Sequence, residues 1–129
     1  MQIPAVLDGF DVPSAVARML DDPVLWWQAV GLFVEHFSEW EGRWQAAIGE
    51  AASERRQVHA LRSAAANIGA DRLAASAAAL ETVLLQTQAG ESVLVPQALR
   101  QRLAEDFRSA WRAAAEAWQK TPLSPEARP

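Results

Sequence analysis

The sequence predicts an all-α domain, an antiparallel four-helix bundle with a short N-terminal helix covering one end. Three observations carry that expectation. Alanine, the strongest helix former, fills 27 of 129 positions. β-Branched residues are sparse outside short stretches. Apolar residues recur every three or four positions through four long segments joined by short connections.

Each element has its own local cause. Pro13 at a first helical position starts a short helix over Pro13–Met19. Asp22 followed by Pro23 forms a cap and first turn, and Trp26, Val30, Phe33, Phe37, Trp40, Trp44 and Ile48 then predict one long helix over Pro23–Gly49. Gly31 and Gly42 each cost that helix about 1 kcal/mol against alanine, which points to close contacts. Ser53 is the expected cap of a third helix, with Val58, Leu61, Ala65 and Ile68 on its inner face and Gly69 as a left-handed stop. Asp71 suits the first turn of a fourth helix, which buries Leu73, Ala77, Leu80 and Leu84 and frays into TQAGES. Pro96 starts a fifth, with Leu99, Leu103, Phe107, Trp111, Ala114 and Trp118 inward. Residues 1–120 form one helical domain on this reading. The Pro-rich stretch 121–129 is expected to be disordered.

Composition bounds function. Half the residues are hydrophobic, 22% are charged and the net charge is −4, the profile of a soluble globular protein. No run approaches the roughly 18 apolar residues of a membrane span, and no basic, then apolar, leader is visible, so a cytoplasmic location is expected. The absence of cysteine excludes disulfides, thiolate zinc sites and cysteine nucleophiles. Mild acidity argues against nucleic acid as a partner. No Gly-rich phosphate loop or nucleotide motif occurs, so the chain is not expected to phosphorylate itself from ATP, and no cofactor is expected.

The segment from Val58 to Glu81 reads VHALRSAAANIGADRLAASAAALE. Its His59, Leu61, Arg62, Ala64, Asn67, Ile68, Gly69, Ala70, Leu73, Leu80 and Glu81 fall at the offsets of the histidine-containing phosphotransfer (HPt) signature, which the stretch resembles. Gly9-Phe10-Asp11-Val12 and Phe33 also resemble that family's lead-in and second-helix phenylalanine, so the likeness spans about residues 9–118. The resemblance implies a helical bundle whose histidine, His59, accepts a phosphoryl group from a receiver-domain aspartate and passes it to another receiver. It further implies receiver domains of response regulators as partners, a hybrid histidine kinase upstream, and magnesium on the receiver alone.

The residues themselves support that reading. His59 lies about one residue's rotation off the core face of its helix, half supported and half open. Residues at equal height on the third and fourth helices sum to about 139, which puts Glu81 within reach of the ring. A carboxylate there accepts from Nδ1–H, fixes the tautomer and leaves Nε2 as the nucleophile. Arg62, one turn on, is placed to stabilise a phosphate on His59, where the family usually has lysine. Ser63 stands where the family has glycine, at the point of partner approach. Arg55 and Arg56 are expected to be a solvated helix start. Trp40 and Trp44 are either a wall for the ring or plain core, and His36 is structural or at the rim.

Other readings stay open at this level. One is an HPt-like binding module that holds a receiver or kinase without carrying phosphate. Another is an enzyme with a His59–Glu81 acid–base dyad, which needs a deep pocket. The starting methionine and the Pro-rich tail favour a free-standing monomer over a module excised from a larger kinase.

Overall fold

The structure is a computed structural model, and residues 2–90 and 94–123 are described. Among these, six helices follow in order: α1 (Val12–Arg18), α2 (Pro23–His36), α3 (Trp40–Ala47), α4 (Ala51–Ile68), α5 (Asp71–Gln88) and α6 (Gln97–Lys120). The fold is all-helical, with α2 and α3 together forming one of the four bundle members.

Helix starts follow side-chain chemistry. The Asp11 carboxylate accepts from Ser14 N–H, and that of Asp22 accepts from the N–H groups of Val24 and Leu25. The cap of α4 is Glu50, not Ser53: the Glu50 carboxylate takes Ser53 N–H, and Ser53 sits in the first turn. The helix therefore starts at Ala51, three residues earlier than a Ser53 cap would have it, and Glu50 satisfies the orphan N–H of Ser53. Gly69 ends α4 in the left-handed region at φ 86°. A Cβ there would lie 2.7 Å from the Asp11 carbonyl oxygen, so glycine also lets the N-terminal segment dock. Asp11 N–H donates to the Gly69 carbonyl at 2.8 Å, which pins α1 over the α4–α5 turn.

The expected single helix over Pro23–Gly49 is broken at residues 37–39. Phe37 closes α2, and Trp40 N–H turns back to the Phe37 carbonyl. The apolar spacing continues through the break, but the two halves pack differently: α2 mainly on α6, α3 on α4. Beyond the break, Trp40 Nε1–H reaches the Gln57 carbonyl at 2.9 Å and Trp44 Nε1–H the Glu54 carboxylate at 3.0 Å.

Tryptophans tie the bundle together. Trp26 Nε1–H donates to Ile68 O, Trp27 Nε1–H to Thr121 O and Trp111 Nε1–H to Val34 O, each bond joining two different elements. Trp26, Trp27, Trp40 and Trp44 are all essentially buried. At about 25 cal/mol per Å² over 150–250 Å², each contributes roughly 4–6 kcal/mol of burial as an upper figure. Pairing the polar edge with a backbone carbonyl, or for Trp44 with the Glu54 carboxylate, avoids the cost of a lost hydrogen bond. Gly31 has a packing reason, since a Cβ there would meet the Trp118 ring at 2.4 Å. Gly42 has no such neighbour.

The bond to Thr121 also corrects the expectation for the C-terminal stretch. Thr121 caps α6 and Leu123 is buried, so the first part of 121–129 is packed on the bundle. Residues 124–129 lie outside the described residues, as do Glu91 and Ser92 of the TQAGES stretch.

Candidate functional site

Helices α4 and α5 form an antiparallel hairpin closed by Gly69 and Ala70. Val58, Leu61, Ala65 and Ile68 fill the inner face of α4, all buried. The rotation that buries them leaves His59, Ala60, Arg62, Ser63, Ala66 and Asn67 exposed. His59 therefore sits on an open helix face, with the small Ala60 and Ser63 beside it and Arg62 one turn on.

Across the hairpin, Glu81 is buried on α5 with its side chain only 4% exposed. Its Oε2 lies 2.8 Å from His59 Nδ1, while 56% of the His59 side chain remains exposed. Arg62 donates from a guanidinium N–H to the other oxygen, Oε1, at 2.7 Å. Arg55 approaches Oε2 at 3.6 Å and donates through Nε–H to Gln88 Oε1 at 3.0 Å. One buried carboxylate thus gathers three side chains of α4.

The protonation states follow. Burial alone would raise the Glu81 pKa, but hydrogen bonds from Arg62 and His59, with their charges, outweigh it and hold the carboxyl below its ordinary value of 4.5. At neutral pH Glu81 is a carboxylate and can only accept. Nδ1 must therefore carry the proton of this bond, and Nε2 has no protein partner among the described residues.

The expected residues are placed as follows. His59 and Glu81 are brought together. Arg62 is one turn from His59, yet its guanidinium is engaged with Glu81. Ser63 is exposed on the same face. Arg55 departs from the expected solvated helix start, because it turns into the site; Arg56 is exposed and bonds only Ser53 Oγ. Trp40 and Trp44 stack on each other at 5.1 Å, and Trp40 also packs on Phe107; both belong to the core. His36 is exposed at the end of α2, a rim position.

A second buried carboxylate, Glu54, was not foreseen. It is 1% exposed and receives two bonds from Arg100, at 2.8 and 2.9 Å, and one from Trp44. It fastens the start of α4 to α6 and is structural. No buried side-chain polar atom lacks a partner among the described residues. No cluster of three or more His, Asp or Glu is placed there to hold a metal.

The site is thus an exposed imidazole held through Nδ1 by a buried carboxylate on the outer face of a helical bundle. The Hpt domain family model matches residues 31–120, well over half of the chain, and the chain belongs to that family. Hpt domains serve histidine phosphotransfer in two-component signalling and interact with receiver domains. No curated protein and no solved structure matches the chain. No helix among the described residues is long and apolar enough to cross a membrane.

Proposed function

We propose that the chain is a phosphorelay intermediate in which His59 Nε2 accepts a phosphoryl group from a receiver-domain aspartate and passes it to another receiver. The observation that carries this reading is the 2.8 Å contact from His59 Nδ1 to the buried Glu81, on a ring more than half exposed.

The chemistry balances with these groups. The Nε2 lone pair attacks phosphorus, the bond from phosphorus to the aspartyl oxygen breaks, and its electron pair leaves with the aspartate. The ring keeps its Nδ1 proton and becomes a cationic phosphoimidazole facing the Glu81 carboxylate. That charge stabilises the carrier form, while the cationic ring remains a good leaving group. In the second step the next aspartate attacks phosphorus, and the nitrogen–phosphorus pair returns to Nε2. Arg62, 48% exposed and the more open of the two arginines at Glu81, is the cation that meets the phosphoryl oxygens in this scheme, and Ser63 adjoins the path of approach. Magnesium belongs to the receivers in this scheme.

The ring is open, not enclosed, which disfavours an acid–base dyad working on a small substrate in a closed pocket. Incubation of the full chain with a panel of phosphorylated receiver domains from the same organism tests the proposal. Acid-labile label on the wild-type chain supports it. Stoichiometric binding without label would favour a binding module instead.

A further inference from the structure

The two arginines of the site differ in how they are held. Arg62 touches Glu81 through Oε1, the oxygen that His59 does not use, and has no other partner among the described residues. Arg55 approaches Oε2, the oxygen that takes the His59 Nδ1 proton, and is anchored a second time by Gln88 at the end of α5. Arg55 is also the more enclosed, 28% exposed against 48% for Arg62.

A phosphoryl group arriving at Nε2 brings two negative charges, and Arg62 can turn to them by giving up one bond. Glu81 would then stand buried without a cation on Oε1, a costly state unless another positive charge stays beside it. Arg55 is positioned to remain. It lies one turn before His59, as Arg62 lies one turn after. Its double anchoring fixes the carboxylate oxygen that the ring depends on.

We propose that Arg55 is a positioning residue of the site: it holds Glu81 Oε2 on His59 Nδ1 and thereby frees Arg62 for the phosphoryl group. This rests on the reading of His59 as the phosphoryl carrier.

The test uses the full chain and the His59 Nδ1–H proton, followed by NMR as its exchange with water. In Arg55→Gln that exchange is expected to quicken about tenfold or more, because Oε2 loses its anchor. Arg55→Lys is expected to return it to within about threefold of wild type, since charge near Oε2 is restored. Arg62→Gln leaves the exchange within about threefold but lowers the first-order transfer step, and Arg56→Gln changes neither. A proton in Arg55→Gln that exchanges at the wild-type rate overturns the proposal, as does Arg62→Gln quickening it equally. Should Arg55→Gln fail to fold, Gln88→Ala releases the second anchor without removing charge; an unchanged exchange rate there overturns the proposal too. The proton needs no phosphoryl group. A wild-type chain that takes no label therefore counts against the relay reading, whereas this readout judges Arg55 alone.

Discussion

His59 and Glu81 stand 22 positions apart in the chain and 2.8 Å apart in space, the imidazole open to solvent and the carboxylate buried. The difference in exposure is what makes the pair useful. Glu81 cannot exchange its partners for water, so it fixes the ring's proton on Nδ1, while the other ring nitrogen stays accessible. Glu81→Gln keeps the shape and one acceptor but loses the charge that faces the phosphorylated ring. Transfer from a phosphorylated receiver should slow by about ten- to a hundredfold, with docking affinity unchanged. Stopped-flow transfer at saturating receiver separates the two.

The same carboxylate makes stability depend on pH. Its folded pKa lies below the ordinary 4.5 despite burial, because Arg62 and His59 favour the charged form. The stabilisation is therefore complete above the ordinary carboxylate range and is lost as pH falls through the lowered folded value. The gap in melting temperature between wild type and Glu81→Gln should be widest near neutral pH and close in acid below 4.5. Thermal melts at a series of pH values check the sign.

The Glu54–Arg100 pair is a structural counterpart. Arg100→Ala leaves Glu54, 1% exposed, without its two strongest donors and should destabilise the bundle by about 3–5 kcal/mol. Replacing both partners at once, Glu54→Leu with Arg100→Met, should recover only part of that loss, because the buried Trp44 Nε1–H then lacks its acceptor. Urea denaturation of the two variants beside wild type measures it.

The two helical glycines of the α2–α3 segment should respond oppositely. Gly31→Ala drives a methyl into the Trp118 ring, 2.4 Å from the built Cβ position, and should cost about 1–3 kcal/mol. Gly42→Ala meets open space in a helix and should gain up to about 1 kcal/mol. Melting temperatures moving apart in these directions confirm the packing around Trp118.

Much of this arrangement is legible before any coordinates. The HPt-like register from His59 to Glu81 and the hairpin turn at Gly69 set the height of Glu81 against His59. Both rest on local rules, a left-handed stop and antiparallel counting. The break between α2 and α3 is hidden because the turn at 37–39 preserves the three-to-four spacing of Phe33, Phe37, Trp40 and Trp44. The main packing partner shifts at the break, from α6 for α2 to α4 for α3. Trp27 escapes the periodic stripe because α2 buries two adjacent indoles, one toward Ile68 and one toward Thr121. Glu54 and Arg55 both look like a charged, solvated helix start. Their partners, Arg100 and Gln88, stand 46 and 33 positions away, too far for helical spacing to reveal.

His59 is the proposed carrier of the phosphoryl group. The most direct measurement is labelling of the full chain by a phosphorylated receiver, wild type beside His59→Gln, with circular dichroism of both. Acid-labile label is expected on the wild type, none on His59→Gln, and the same helical signal in each. Label that persists on a folded His59→Gln chain would contradict that role.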